Sequence, residues 1–286
     1  GGVEWNMGII GHSPLSNDPL FTASGTTDSG VPFLRMYEYE RIREAEYQMD
    51  FWLEEKSRSL NCRMRIVNHT DQVIPMYWWS NMAVPEYPFG QIIVPAATAY
   101  TCKNWEVYKV NVPEVDGNNI FHYESIPDQI DYFFDIPYEC PKYIANVNKD
   151  GYGLLQTSTR RLRARKLFSW GHNEGSDRWQ HFLTEDAGPY IEIQAGLGKT
   201  QYGCLPMAPH TAWEWLEQYG PVQLPQTTSS QDNCQYIEQH VSSEELERLL
   251  QTSASFAHQK AAVVSSGSTH GAMRNLEATV SPKKKA

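Results

Sequence analysis

The chain has 286 residues, 41% hydrophobic and 12% aromatic, enough to bury one large core or two modest ones. Its formal charge of −10 and pI near 5.4 argue against a nucleic-acid footprint, which is ordinarily basic. Five cysteines (Cys62, Cys102, Cys140, Cys204, Cys234) lie scattered without CxxC spacing, so neither a disulfide framework nor a zinc site follows and reduced thiols are expected.

In chain order, the apolar segment Val3–Ile10 runs into a turn at Gly11-His12-Ser13-Pro14. Extended runs are predicted at Val31–Glu40, Glu46–Leu53, Leu60–Asn68 and Val73–Ala83. Asn68-His69-Thr70 fits a glycosylation pattern, but its place between two runs marks it as a turn. Further strands are expected at Gln91–Val94, Tyr143–Val147, Gly153–Thr159, Lys166–Trp170, Arg178–Leu183 and Tyr190–Ala195, with Gly, Pro, Asn and Asp at the joints. The basic cluster Arg160–Lys166 alternates, and reads as a solvated sheet face rather than a phosphate track. Many short strands without helical periodicity indicate an all-β, antiparallel architecture, and their number favours a two-sheet sandwich over a small barrel.

Composition changes after Gly220. Residues 1–220 are expected to form the β domain, and residues 221–286 a linker, a short helix and a poorly ordered tail. Ser242 is placed to cap the helix with Glu245 in its first turn, and Leu246, Leu249 and Leu250 line one face. No run of 18 apolar residues is present, so no membrane span is predicted and the cytoplasm is the expected location.

The densest chemical signal is Val73–Glu86, VIPMYWWSNMAVPE. Flat rings beside short amide and hydroxyl groups suit a sugar, which is apolar on its C–H faces and polar at its rim. The alternative, that these rings are strand core, stays open at this point. Glu192 lies between Ile191 and Ile193; strand alternation would bury the isoleucines and put Glu192 and Gln194 on one face. Glu86 follows the aromatic strand directly. Glu38 and Glu40, near Arg35 and Arg41, read as ion pairing on an exposed face, and His12, His172 and His181 as loop or surface histidines. No GxSxG, HExxH, P-loop or GxGxxG pattern occurs, and no cofactor or metal is expected.

Seven segments, GGVEWNMGIIGHSP, RMYEYERIR, PMYWWSNMAVPE, GLLQTSTRRLRARKLFSWG, RWQHFL, YIEIQAGLGKTQ and WEWLEQYG, occur in the order found in one bacterial family of unknown function. That family is related to the galactose mutarotases and often carries tetratricopeptide repeats at its C-terminus, and the chain resembles it from about Gly1 to Gly220. Ser266–Leu276 is weakly similar to a later Gly-Ser-Gly-Trp-Gly segment, with His270 at the tryptophan. The resemblance implies a galactose mutarotase-like β-supersandwich with a carbohydrate cleft across one sheet. The family opening GGVEWN normally follows another block of strands, which this chain lacks, so part of one sheet is expected to be missing or supplied elsewhere.

In the mutarotases the general base is a glutamate in a Glu-Thr-Gln context, which Glu192-Ile193-Gln194 resembles. The general acid is a histidine in a His-x-Tyr-Phe-Asn-Leu strand; aligning on Asn81 puts Tyr77 at that histidine, a departure that argues against plain mutarotation because tyrosine titrates near pH 10. The resemblance therefore implies a carbohydrate-active protein acting at an anomeric centre, by hydrolysis or epimerisation. Glu192 is its expected base and Glu86 the second carboxyl. Tyr77, Trp78, Trp79, Asn81, Trp170, Gln194, His12 and Arg35 are expected to hold a mono- or oligosaccharide. The alternatives are a non-catalytic carbohydrate-binding or scaffold module, and a decayed copy serving as an interaction surface.

Overall fold

The computed structural model describes residues 2–8, 11–13, 16–225 and 229–280. Strands dominate. They run β1 (Gly2–Met7), β2 (Phe21–Thr26), β3 (Pro32–Glu40), β4 (Ala45–Trp52), β5 (Leu60–Asn68), β6 (Ile74–Met76), β7 (Trp78–Pro85), β8 (Gln91–Ile93), β9 (Thr98–Lys103) and β10 (Glu106–Asn111). Next come β11 (Glu114–Val115), β12 (Asn118–Asn119), β13 (Ile130–Phe134), β14 (Lys142–Val147), β15 (Tyr152–Ser158), β16 (Ala164–Ser169) and, after helix α1 (Glu174–Thr184), β17 (Tyr190–Gly196), β18 (Leu205–Met207) and β19 (Thr211–Gln223). Helices α2 (Ser230–Glu238), α3 (Ser243–Thr252) and α4 (Ala254–Ala257), strand β20 (Ala262–Ser265) and helix α5 (Thr269–Val280) complete the chain. Among the described residues no helix is long and apolar enough to cross a membrane.

The chain divides into two compact units. Unit 1 comprises Gly1–Trp5, Trp79–Gln201 and Tyr219–Ser243. Its main sheet has the order β7-β17-β16-β13-β9-β10, with these neighbours paired antiparallel. Register fixes the two faces: Glu192 pairs with Ala83 and Phe168, and Gln194 with Asn81 and Lys166. The opposite face is mostly apolar, and Ile191, Ile193, Ala195 and Leu167 are fully buried on it alongside Arg165. Strand β14 packs across β16 and β17, which supplies the second layer of a sandwich. Burying this set of aliphatic side chains fixes the register, since a slip by one residue would expose the isoleucines and bury Glu192.

Unit 2 comprises Asn6–Trp78, Tyr202–Gln218 and Glu244–Ala286. Its sheet has the order β20-β2-β3-β4-β5, and β18 pairs with β6. Tyr47, Trp78 and Trp215 form an edge-to-face ring cluster at its centre.

Several expectations are corrected. The strand predicted at Arg178–Leu183 is helix α1: Asn173 caps it by accepting the Ser176 N–H, and this local signal outweighs the alternation of RWQHFL. Arg160–Lys166 is not a solvated face, because Arg165 and Lys166 are buried; Arg165 donates to the carbonyls of Leu162, Ala164 and Lys142. The boundary expected at residue 220 falls inside β19. Residues expected as linker and tail form α2, α4, β20 and α5, with β20 paired to β2.

Glu38 and Glu40 are likewise buried rather than exposed. Glu38 accepts from the backbone N–H and hydroxyl of Ser268, and Glu40 accepts from the N–H groups of Ile42 and Arg43. The turn expected at Asn68 is present; the buried Asn68 amide donates to the carbonyls of Gln72, Met207 and Ala208.

Candidate functional site

The polar face of the unit 1 sheet carries a connected set of side chains. Asn81 Nδ2 donates to Glu192 Oε2 at 2.8 Å, and Gln194 Nε2 donates to the same oxygen at 2.9 Å. Gln201 Nε2 donates to Gln194 Oε1 at 2.9 Å, and Lys166 Nζ donates to Gln201 Oε1 at 2.6 Å. Lys166 also pairs with Asp131 at 2.7 Å. The amides of Asn81 and Gln194 thus orient one carboxylate oxygen of Glu192 while its side chain stays half-exposed. Hydrogen bonds to an ionised acceptor are the stronger kind, so the carboxylate is held in one geometry.

An aromatic surface adjoins Glu192. Phe168 is its cross-strand neighbour. Phe168 and Trp170 meet edge to face at 5.0 Å, and Trp170 and Tyr190 at 6.0 Å. All three rings are half-exposed. Burial first, and then the Glu192 carboxylate, push the Tyr190 hydroxyl above its ordinary pKa, so it remains a donor at neutral pH. Lys166 lies 5.2 Å from the Phe133 ring centre and 5.7 Å from that of Phe168.

Glu86 sits just past the end of β7, three residues beyond the partner of Glu192. At about 3.4 Å per residue that is roughly 10 Å of strand, so the backbone does not place the two carboxyls side by side. Its carboxylate instead faces His172, with Nε2 to Oε1 at 2.9 Å; the glutamate side chain is 5% exposed and the imidazole 40%. Burial pushes the Glu86 carboxyl up, His172 draws it back, and Glu124 and Asp177 add to the rise.

Of the expected sugar contacts, Asn81, Trp79, Trp170 and Gln194 lie on this face with Glu192. Trp79 does not offer its ring: it is 1% exposed and packs edge to face on Phe133. Residue 196 must be glycine for this, since a Cβ there would stand 2.3 Å from the Trp79 ring. Tyr77 and Trp78 are core residues of unit 2, 2% and 1% exposed, and the Tyr77 hydroxyl accepts from the Gly11 N–H. The rings of Tyr77, Trp78 and Trp79 are therefore buried, while Asn81 of the same strand reaches Glu192.

Arg35 is committed elsewhere. It pairs with Asp50 at 2.6 Å and donates to the carbonyls of Phe256, Ala257 and Gln259, which fastens the C-terminal segment of unit 2 to β3. His12 is exposed in unit 2.

Phe168, Tyr190, Lys166, Asp131 and Gln201 were missed from sequence. The period-2 pattern of KLFSW would have placed Lys166, Phe168 and Trp170 on one face; the pairing of that face with Glu192 is visible only in the sheet.

Known structures share this architecture. A TPR-domain containing protein from Parabacteroides distasonis ATCC 8503 superposes with a TM-score of 0.67 at 24% identity, over 78% of this chain and 38% of that protein. A galactose mutarotase-like protein from Clostridium acetobutylicum gives a TM-score of 0.52 at 10% identity, over 74% of this chain and 69% of that one. The fold is the mutarotase-like β-sandwich expected from the sequence, and the chain spans well under half the length of the Parabacteroides protein. Residues 1–214 match a family described as a domain of unknown function, DUF5107, and the chain belongs to that family.

Proposed function

We propose that the protein binds a carbohydrate on the polar face of the unit 1 sheet and acts on it at or near the anomeric centre, with Glu192 as the base. One observation carries this reading: a half-exposed carboxylate oriented by the Asn81 and Gln194 amides beside the rings of Phe168 and Trp170. A sugar ring can place its C–H face on the aromatic surface and its anomeric hydroxyl toward Glu192. The mutarotase-like fold supports the substrate class, since similar architecture occurs in a protein described as galactose mutarotase-like.

The acid partner differs from that expected of a mutarotase. Tyr77 is buried, and the carboxylate-held imidazole of His172 is the proton-handling group on the Glu86 side. A second reading, non-catalytic sugar binding, is favoured by one feature: among the described residues Glu192 has only amide partners. Rates of anomer interconversion and glycoside cleavage over a sugar panel, compared with those of Glu192→Gln, separate the two. A loss of at least about a hundredfold supports the base role, in line with typical general-base contributions. Binding without turnover in both proteins supports the second reading.

A further inference from the structure

Unit 2 contains a cavity that belongs to neither the Glu192 face nor the Glu86–His172 pair. Its volume is about 200 Å³, and Phe21, Tyr37 and Tyr39 line it together with Glu46, Gln48 and Arg65. Helix α5 adds Gly271, Arg274 and Asn275 to the lining. A dry cavity near 150 Å³ is large enough for benzene, so this one has room for a single substituted six-membered ring. Phe21 and Tyr37 stack on each other at 5.3 Å, which gives this side of the lining an aromatic character.

The polar groups around this wall differ in how far they are engaged. Glu38 is satisfied by Ser268 and by the Tyr39 N–H. Glu46 binds His69 Nε2 at 3.2 Å, and Arg65 lies 3.0 Å from Glu214. Arg274 is different. Among the described residues its guanidinium makes no hydrogen bond or ion pair; it lies over the Tyr39 ring, 5.2 Å from Cζ, and its charge helps hold the Glu46 carboxyl low. A guanidinium stacked on a ring still offers its planar fork of donors at the edge, the geometry that matches a carboxylate.

We infer that this cavity is a binding site for a single six-membered ring bearing a carboxylate, with the ring among Phe21, Tyr37 and Tyr39 and the carboxylate on Arg274. A sugar acid and an aromatic hydroxy acid both carry that chemistry. The full chain titrated calorimetrically with glucuronate, 4-hydroxybenzoate, glucuronate methyl ester and glucose distinguishes them. At least one acid is expected to bind more tightly than about 1 mM, with the neutral ester and glucose weaker by at least about tenfold. Arg274→Gln, a half-exposed helix position where glutamine is well tolerated, is expected to lose that acid by a similar factor, while Glu192→Gln leaves it unchanged.

Ester and acid binding alike, or an affinity untouched by Arg274→Gln, would overturn the assignment. So would the absence of binding by both acids. An acid signal lost in Glu192→Gln and kept in Arg274→Gln would belong to the unit 1 face and overturn it too. The ester comparison needs no variant, so it stands even if a substitution perturbs folding.

Discussion

Asn81 and Glu192 are 111 residues apart in sequence and hydrogen-bonded at 2.8 Å across neighbouring strands of one sheet. The bond exists because β7 and β17 pair in a register that sets Asn81 opposite Gln194 and Ala83 opposite Glu192. The Asn81 amide is a neutral donor and adds no competing charge beside the carboxylate. Asn81→Asp would put a second carboxyl there, and two carboxylates in contact cannot both ionise easily. One of the pair is expected to titrate well above the ordinary carboxylate range, as measured by carboxyl NMR. The variant should also be less stable at pH 7 than at pH 4 relative to the parent. Two ordinary carboxyl titrations would contradict the geometry.

Trp79 and Trp170 make opposite predictions. Trp79 is 1% exposed and fills the space beside Gly196 and Phe133, so Trp79→Ala should destabilise the fold by about 3–5 kcal/mol. Trp170 is half-exposed, so Trp170→Ala should cost less stability yet weaken sugar binding by about tenfold, roughly 1.4 kcal/mol. Denaturant unfolding and calorimetry on both variants test the pair of expectations. A reversal of the two effects would return the aromatic strand to the ligand.

Glu86 gives a pH dependence of definite sign. Burial raises its folded pKa above the unfolded value of about 4.3. In the window between those two values the native state binds more protons than the unfolded chain, so this group's contribution to stability falls as pH rises through it. Glu86→Gln cannot ionise. The stability of that variant minus that of the parent should therefore increase with pH across the window and level off above it. A difference that declines instead would show the His172 contact outweighing burial.

Arg35 tests the structural role that replaced its expected sugar contact. Arg35→Met leaves Asp50 buried without its cation, a change that typically costs about 3–5 kcal/mol. Burial already raises the Asp50 carboxyl despite Arg35, so protonation should relieve part of the loss at acid pH. Hydrogen exchange should quicken at residues 256–259, whose carbonyls Arg35 holds. Unchanged exchange there would remove the anchoring role.

Much of the fold was legible because a period-2 pattern survives in strands with one buried face. The span Leu60–Asn68 was read to the residue, and Ile191, Glu192, Ile193 and Gln194 alternated as expected. The pattern fails where both faces are covered. Arg165 and Lys166 look like surface charges, yet one is hydrogen-bonded to three backbone carbonyls and the other is neutralised by Asp131.

Sequence also cannot rank aromatic residues by exposure. Trp79 and Trp170 share a chemistry, and only the glycine at position 196 and the pairing of β16 with β17 decide which one meets solvent. The C-terminal elements were missed because long-range partners, Ser268 to Glu38 and Glu277 to Arg41, fix segments of weak local pattern.

The central claim is that a sugar occupies the unit 1 sheet face at Glu192. A crystal structure after soaking with a monosaccharide tests it most directly. A sugar ring is expected over Phe168 and Trp170, with a hydroxyl within about 3 Å of a Glu192 oxygen. A sugar bound elsewhere, or an empty face at saturating sugar, would contradict it.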